Sequence, residues 1–451
     1  MLTFLSMGKV REKIILNGIL PLADMKFHTH MPVWYRQIKK MQKWSPEEIK
    51  RWQTDNLQYL IKTAYEHSKY YHELFDSLKL KPLDIHDFDD LNQIPPLTKE
   101  IIRERYNDIL LDNYSQYHWK ESSTGGSTGN PTRYVKDNNS WGFDNAYNLI
   151  MWQRVDYHYG DKFLALGSAS IFPTNKKSIL HDLYYGMKRK MSFNAMNLSE
   201  ERLAVCVRFI IDNDIHYIYG YASSIFLLAK YVIEKDIKGK MTIKACFPTS
   251  EILTDTYRET IIKAFNCHVV DSYGANDGGI VAHKLDSEPG YKMGYNCIAQ
   301  IKEPLDGKKN YGTALLTDVT NMVFPFIRYE LGDILELGEG HNDFHNGQVL
   351  TKVVGRTSDI ISLENGRNLT SPGFCTLFKD INVEGYRIFK SAPLEITFEM
   401  VKLPEYTDAE ERLIIDTMHK HAGDDVKVHI HYKDVIVTKE NGKNMFFLND
   451  K

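Results

Sequence analysis

The sequence between positions 122 and 131 reads Ser122-Ser123-Thr124-Gly125-Gly126-Ser127-Thr128-Gly129-Asn130-Pro131, and it combines three glycines with five hydroxyl side chains. Glycine lets the backbone turn with positive φ and approach an anion closely, so successive N–H groups converge on phosphate oxygens while hydroxyls donate further hydrogen bonds. The segment lacks the lysine of G-x-x-x-x-G-K-[ST], because Asn130 follows Gly129, and it does not fit G-x-G-x-x-G. The composition indicates a phosphate-binding loop, although a Gly/Ser turn without a ligand satisfies the composition alone.

Five further polar or glycine-containing segments follow this loop. They are 249–251 (Thr-Ser-Glu), 271–277 (Asp-Ser-Tyr-Gly-Ala-Asn-Asp), 325–333 (Pro-Phe-Ile-Arg-Tyr-Glu-Leu-Gly-Asp), 355–361 (Gly-Arg-Thr-Ser-Asp-Ile-Ile) and 438–443 (Thr-Lys-Glu-Asn-Gly-Lys). In this order they resemble the motifs of the adenylate-forming ligases, the acyl-CoA synthetase superfamily, whose loop reads T-S-G-[ST]-T-G-x-P. Segments 57–99 and 219–224 resemble the phenylacetate–CoA ligase branch, especially the CapK-type proteins associated with capsular polysaccharide synthesis. The resemblance extends from about Trp44 to the end of the chain.

The pattern of elements predicts two structural units. Helical segments such as 200–212 and 223–235 alternate with β-rich runs such as 163–166, which favours α/β layers. Beyond position 355 a strand, a helix with Asp408 as its N-cap, and a second strand predict a small α+β unit. The resemblance accordingly implies a large multi-layer α/β N-terminal adenylation domain at 1–355, with a helical layer at about 1–115, and a mobile C-terminal lid domain at 356–451.

Composition limits the classes of partner. The 56 Lys and Arg residues nearly balance the 59 Asp and Glu residues. The net charge of −3 lacks the excess of positive charge that is typical of proteins that bind nucleic acid. Five scattered cysteines without a C-x-x-C pair favour a reduced, cytoplasmic environment. No apolar run reaches the length of a transmembrane span, but lysines and an arginine precede the apolar segment 14–23. Packing of that segment on the body of the protein is the first expectation, and peripheral membrane contact is the alternative.

The resemblance assigns the nucleotide-binding residues. It implies that the β- and γ-phosphates of ATP are held by five residues of the loop, namely Thr124, Gly126, Ser127, Thr128 and Gly129. The ring of Tyr273, followed by Gly274, is expected against adenine, and Asp333 is expected to accept hydrogen bonds from the ribose hydroxyls. Glu251 belongs to a segment that lines the nucleotide site. Gly125 and Asn130 are departures from the usual loop.

The resemblance also assigns the catalytic residues. Lys443 is expected to bridge the carboxylate and the α-phosphate, Arg356 to contact ribose or phosphate, and Thr128 to act with them. Asp277 occupies the position of the family's magnesium-binding glutamate. Aspartate retains the hard oxygen donor that Mg²⁺ prefers, but it is about 1.5 Å shorter, so the position of the metal is expected to differ. Ser358 stands at the hinge position.

The implied activity is an ATP-dependent, AMP-forming carboxylate ligase that makes an acyl-adenylate and transfers the acyl group to CoA. Transfer to an amine, as in an amide ligase, remains an alternative because of the CapK likeness. A non-catalytic nucleotide-binding relative is a third reading, suggested by Gly125 and Asp277. The sequence lacks H-E-x-x-H and G-x-S-x-G, which disfavours zinc-protease and serine-hydrolase readings. The acid is not identified, and segment 220–224 is a candidate wall of its pocket.

Overall fold

The computed structural model describes most of the chain. The described residues are 7–123, 132–167, 186, 189–195, 198–251, 253–286, 288–305, 308–338, 345–354, 360–365, 367–370, 377–378, 381–434 and 447–448.

Helices dominate the N-terminal part, and strands dominate the remainder. The helices are α1 Met7–Ile14, α2 Leu20–Phe27, α3 Met31–Met41, α4 Pro46–His67, α5 Lys69–Leu78, α6 Lys99–Ile109, α7 Asn138–Trp152, α8 Glu200–Asp212, α9 Ala222–Glu234, α10 Asp255–Phe265 and α11 Asp408–Ala422. The strands are β1 Trp119–Ser123, β2 Arg133–Asp137, β3 Phe163–Gly167, β4 Lys190–Asn194, β5 Tyr217–Tyr221, β6 Ala245–Thr249, β7 His268–Ala275, β8 Ile280–Leu285, β9 Tyr291–Met293, β10 Cys297–Leu305, β11 Lys308–Asp318, β12 Tyr329–Leu337, β13 Val349–Val354, β14 Ile360–Ser362, β15 Asn368–Thr370, β16 Val383–Ala392, β17 Glu395–Lys402, β18 Lys427–Tyr432 and β19 Phe447–Leu448.

One eleven-stranded sheet organises the larger unit, in the order β10-β11-β12-β13-β9-β8-β7-β6-β5-β3-β4. Strands β7, β6, β5, β3 and β4 run parallel, whereas the pairings from β10 to β7 are antiparallel. The sheet and its flanking helices confirm the predicted α/β class.

The parallel half is covered by helices on both faces because its strands are apolar on both sides. Leu164 and Ile218 pack with α8, α9 and α10, while Phe163 and Phe247 pack with α3 and α7. Helices α4, α5 and α6 bury their apolar faces against the antiparallel half. In sheets of this kind, ligands bind at the edge formed by the carboxyl ends of the parallel strands.

Helix α4 begins at residues 45–48, Ser-Pro-Glu-Glu, a pattern from which the sequence alone predicts a capped helix start. Glu48 N donates to Ser45 Oγ at 3.2 Å, Ser45 N donates to Glu48 Oε2 at 2.7 Å, and Pro46 occupies the first turn. This capping box satisfies backbone donors that the first turn otherwise leaves without partners. Within the described ranges, the helices all fall short of the length and apolar content that crossing a membrane requires.

The C-terminal unit has its own sheet, in the order β18-β17-β16-β19, and a core that includes Phe398 and Ile414. The expected strand–helix–strand order is present as β17, α11 and β18. The predicted cap Asp408 is wrong by one residue: Thr407 is the N-cap, and its N–H donates to Glu410 Oε2 at 2.7 Å. Glu410 rather than Glu411 thus reaches back to the cap. The boundary at 355/356 lies outside the described residues and stays a prediction.

Candidate active site

Strands β1 and β2 form an antiparallel hairpin that flanks the glycine-rich segment. Ser122 pairs with Tyr134, and Ser123 pairs with Arg133, so the two ends of the segment are held side by side. The five predicted phosphate-binding residues lie outside the described part of the chain, and their roles stay predictions. They are Thr124, Gly126, Ser127, Thr128 and Gly129.

Tyr134 connects this hairpin to the predicted magnesium residue. Its side chain is 2% exposed. Burial and the negative charge of Asp277 raise the pKa of Tyr134, whereas a hydrogen bond with the side chain of Ser122 lowers it. Asp277 therefore lies close to the flank of the glycine-rich segment. Because Mg²⁺ in nucleotide sites is held by one or two carboxylates together with phosphate oxygens, the donor present here fits that ion.

Two hydrogen bonds join β12 to β7 and to the turn that follows β7. Tyr273 Oη donates to Asp333 Oδ2 at 2.9 Å, and Tyr329 Oη donates to Asp277 Oδ2 at 2.7 Å. Three strands, β13, β9 and β8, separate β12 from β7 in the sheet order, so the antiparallel half curls back on itself. The curl brings together the residues that the sequence assigns to adenine, ribose and magnesium.

The turn that carries Asp277 is tightly held. Gly278 and Gly279 have φ values of +87° and +69°, a region that favours glycine, and a Cβ on Gly279 would lie 2.1 Å from Asp318 Oδ2. The carbonyl oxygen of Gly279 accepts a hydrogen bond from Asn296 Nδ2 at 2.8 Å, and that of Gly278 accepts one from Cys297 Sγ at 3.5 Å. The position of Asp277 is consequently fixed by neighbours on both sides of the turn.

Sequence reasoning missed the buried polar group beneath this turn, which we call the Lys136 cluster: Lys136, Ser140, Asp144 and Asp318. Lys136 Nζ is paired with Asp144, Ser140 Oγ donates to Asp318 Oδ2 at 3.0 Å, and Thr320 N donates to Asp318 Oδ1 at 2.9 Å. Burial raises the pKa of Asp144 to about 6, and the charge of Lys136 opposes that rise. The sequence signal was a lysine directly after two buried apolar residues of β2, Tyr134 and Val135.

Asp137 extends this group to helix α7. Its Oδ1 accepts from Ser140 N at 2.7 Å and its Oδ2 accepts from Met322 N at 2.8 Å, so it caps the helix and ties it to the segment before β12. Burial raises the pKa of Asp137 to about 6, although the two backbone hydrogen bonds act to lower it. Strand β2, which leaves the glycine-rich segment, is thereby anchored to the same body as the Asp277 turn.

Glu251 lies at the carboxyl edge of the parallel half. Ser250 has φ +66°, which turns the chain after β6, and Glu251 Oε2 accepts from Ser223 N at 2.7 Å at the start of α9. Burial raises the pKa of Glu251 to about 7, and hydrogen bonds from Ser223 partly offset that rise. The carboxylate is thus directed toward α9. A role in lining the nucleotide site stays a prediction.

Comparison with curated proteins gives two relatives of similar length. Protein CapK of Staphylococcus aureus is 21% identical over 426 residues, which cover 92% of this chain and 92% of CapK. Phenylacetate-coenzyme A ligase of Escherichia coli (strain K12) is 22% identical over 344 residues, covering 70% of this chain and 73% of the ligase. No family model matches the chain.

Solved structures share the fold along nearly the whole chain. 2-Hydroxyisobutyryl-CoA ligase, in complex with 2-HIB-AMP and CoA in the thioesterification state, has a TM-score of 0.57 at 17% identity and covers 90% of both chains. The open conformation of that ligase has a TM-score of 0.53 and covers 89% of this chain and 91% of its own. The chain therefore has the fold of this ligase. Its two curated relatives carry the names of the branch that the sequence motifs resemble.

The adenylate-forming motifs are only partly visible in the structure. Tyr273, Gly274, Asp277 and Asp333 lie together at the curled part of the sheet, as the hydrogen bonds above define. Arg356, Ser358 and Lys443 lie outside the described residues, and their proposed contacts stay predictions.

The Lys136 cluster generates a stability prediction. Lys136→Met leaves Asp144 and Asp318 buried without their cation, so we expect the free energy of unfolding to fall by about 3–5 kcal/mol in urea denaturation. The control is Lys62→Met, since Lys62 is 64% exposed and 3.9 Å from Glu66; we expect a change below about 1 kcal/mol. Equal effects of the two substitutions would contradict the assigned role of the cluster.

Glu251 generates a pH prediction. Its pKa is raised from 4.5 to about 7, so the folded protein binds more protons than the unfolded chain between these values and loses stability as pH rises. Glu251→Gln removes this loss, because glutamine keeps an oxygen for Ser223 N and carries no charge. We expect the stability of the variant relative to wild type to rise by roughly 1–3 kcal/mol between pH 5 and 8. A pH-independent difference would refute the shift.

Proposed function

We propose that the protein is an ATP-dependent, AMP-forming carboxylate ligase that makes an acyl-adenylate and transfers the acyl group to coenzyme A. The observation that carries this proposal is the convergence of Tyr273, Asp333 and Asp277 beside the hairpin that flanks the glycine-rich segment. The names of the E. coli relative and of the solved 2-hydroxyisobutyryl-CoA ligase support the same class of reaction.

The chemistry explains why such a site needs cationic and hydrogen-bonding groups. A carboxylate oxygen bonds to the α-phosphorus while the bond to pyrophosphate breaks, so two anions must approach and negative charge builds at phosphorus. Stabilisation of that developing charge is the largest catalytic contribution that a preorganised site makes. Asp277 would hold Mg²⁺, which neutralises phosphate charge when bound. Lys443 would place its ammonium between the carboxylate and the α-phosphate, and Arg356 and the loop residues would hold the nucleotide.

The acyl acceptor and the pathway form the finer part of the proposal. Coenzyme A is favoured by the phenylacetate–CoA ligase relationship. A role in surface polysaccharide synthesis is proposed because the sequence motifs resemble those of the CapK-type proteins associated with that process, and the chain is similar to Protein CapK over 92% of both lengths. In such a role, the alternative to coenzyme A as acyl acceptor is an amine on a saccharide precursor.

Acid-dependent exchange of labelled pyrophosphate into ATP tests the proposed function. The assay is run with aryl, alkyl, hydroxy and amino acids in the presence of Mg²⁺ or Mn²⁺, and exchange with at least one acid is the expected result. Silence with every acid and both metals would favour the non-catalytic nucleotide-binding reading. Product masses, measured with and without CoA, then separate a thioester from an amide.

Lys443 generates the corresponding mutational prediction. We expect Lys443→Ala to slow adenylation by about 10²–10³-fold, the loss typical of removing one transition-state donor. The matched control is Lys439→Ala in the same segment, for which we expect a near wild-type rate. Equal rates of acyl-AMP formation by Lys443→Ala and wild type would overturn the assignment.

We also propose a cytoplasmic location with peripheral membrane contact through the N-terminal helices. Four apolar side chains of α1 and α2 are strongly exposed: Val10 44%, Ile14 58%, Leu22 70% and Met25 74%. Exposed Lys13 and Lys26 flank them, whereas residues such as Leu16 pack into the body of the protein. Apolar residues flanked by lysines match an anionic lipid surface.

Vesicle sedimentation tests this contact. We expect wild type to bind phosphatidylcholine vesicles containing phosphatidylglycerol and the double variant Leu22→Ser/Met25→Ser to bind at least about 10-fold less, given the transfer free energy of two apolar side chains. Val205→Ser, at a position 51% exposed on α8, is the control. Unchanged binding by the double variant, or self-association that the double variant abolishes, would overturn the proposal.

A further inference from the structure

The start of α9 and the end of β6 lie on the same edge of the sheet as the nucleotide residues. Tyr221 at the end of β5 pairs with Thr249 at the end of β6, and β7, which carries Tyr273, is the next parallel strand. Ligands of parallel sheets bind outside the carboxyl ends of the strands. Residues 223, 224 and 251 follow directly after those ends and therefore lie at the same edge of the sheet.

The backbone directs Glu251 into this region at an energetic cost. Ser250 adopts φ +66°, a left-handed conformation that costs a non-glycine residue on the order of 1 kcal/mol and is concentrated at functional sites. Glu251 Oε2 then accepts from Ser223 N at 2.7 Å. The other oxygen, Oε1, is buried and makes no hydrogen bond to the part of the chain that the structure describes.

Ser224 presents a second buried polar atom without a partner at the same place. Its side chain is 0% exposed, and its Oγ makes no hydrogen bond within the described ranges. Leaving such an atom unsatisfied costs about 1–3 kcal/mol, as does leaving Glu251 Oε1 unsatisfied. Ser223 Oγ is likewise buried without a hydrogen bond of normal geometry, but it lies near enough to the Glu251 carboxylate to lower that group's pKa. Glu251 Oε1 and Ser224 Oγ remain at this helix start, and they indicate a hydrogen-bonding ligand group.

The chemistry of the two atoms restricts that group. A carboxylate oxygen accepts hydrogen bonds, and a serine hydroxyl accepts or donates one. Above pH 7, where Glu251 is mainly ionised, it would repel a phosphate or the carboxylate that is to be activated, because like charges at about 4 Å in low dielectric repel by several kcal/mol. The ligand group is therefore a hydrogen-bond donor that is not an acid anion.

We infer that the acid activated by this enzyme carries a hydroxyl or ammonium substituent, which donates to Glu251 Oε1 and bonds Ser224 Oγ. This inference rests on the proposed function, and it assigns a hydroxy or amino acid as the substrate class. It also gives residues 223 and 224 of the candidate pocket wall a polar, specificity-determining role. Unsubstituted aryl and alkyl acids would leave both buried atoms without partners.

Matched sets of acids test the inference in the pyrophosphate exchange assay. Each set contains an unsubstituted acid and its hydroxy and amino counterparts, such as propanoate, lactate and alanine, or butanoate, 3-hydroxybutanoate and 3-aminobutanoate. We expect at least one substituted acid to exceed its unsubstituted counterpart about 10²-fold or more in kcat/KM. Unsubstituted acids that match or exceed their counterparts throughout would overturn the inference while leaving the ligase function intact. Silence with all acids would instead remove the proposed function and the inference together.

Variants of Glu251 and Ser224 assign the contact and distinguish the two donors. Glu251→Gln keeps one oxygen for Ser223 N and places an amide NH2, which is a donor, where Oε1 was. A hydroxyl can accept from that NH2 whereas an ammonium cannot, so we expect a preferred hydroxy acid to be retained within a few-fold and a preferred amino acid to lose at least about 10-fold. Ser224→Ala is expected to lower kcat/KM for the preferred acid about 10-fold and to leave KM for ATP unchanged. Glu259→Gln, at an exposed position on α10, is the matched control.

The adenine amino group is the competing donor, and the same variants separate it from the substrate. If Glu251→Leu and Ser224→Ala raise KM for ATP and leave the ranking of acids unchanged, the two atoms serve the nucleotide and the inference is wrong. If the preference for substituted acids disappears while KM for ATP is unchanged, the two atoms bind the substituent of the acid. Stability measured at pH 5 and 8 on the same proteins excludes unfolding as the cause.

Discussion

Two tyrosine–aspartate hydrogen bonds hold the candidate site together. Tyr273 and Asp333 are 60 residues apart in sequence, and Asp277 and Tyr329 are 52 apart, yet both pairs meet because the antiparallel half of the sheet curls. If the curl were relaxed, the residue expected at the ribose would move away from the one expected at adenine. The position of Asp277 beside Tyr134 depends on the same closure, since β12 restrains the turn from one side and the hairpin from the other.

The Lys136 cluster shows how this closure is supported from below. Lys136 is surrounded by three aspartates, of which Asp137 and Asp318 are buried and Asp144 is 14% exposed. Burying so many charges costs free energy of desolvation, so stability alone does not account for the cluster. Ser140 connects α7 with Asp318 at the end of β11, and Asp137 connects β2 with α7 and with the segment before β12. Asp318 also lies against Gly279 of the turn that carries Asp277. The cluster therefore fixes the distance between the strand that leaves the glycine-rich segment and the Asp277 turn.

Local features of this structure were predictable from sequence, whereas its long-range polar contacts were not. The capping box at Ser45, helix α8 and the α/β alternation follow from short-range patterns that a sequence records directly. The order of the motifs indicated which residues belong to one site. The Lys136 cluster and the bond from Ser223 to Glu251 depend on pairing between distant strands, which no local pattern encodes. The misplaced cap at Asp408 arose because Thr407 and Asp408 are both good N-caps and differ only in which glutamate reaches back.

The proposed roles would give the site a direction. If the loop amides and the lysine of the C-terminal segment hold the phosphates of the nucleotide, they would favour anions at one end of the site, whereas ionised Glu251 would disfavour them at the other. An acid that carries a hydroxyl or ammonium group would therefore enter in one orientation, with its carboxylate toward the α-phosphate, because the reversed orientation places two carboxylates together. Orientation before reaction lowers the entropic part of the barrier. A single buried glutamate at the end of β6 would thus contribute both to the choice of substrate and to the alignment of the atom that attacks.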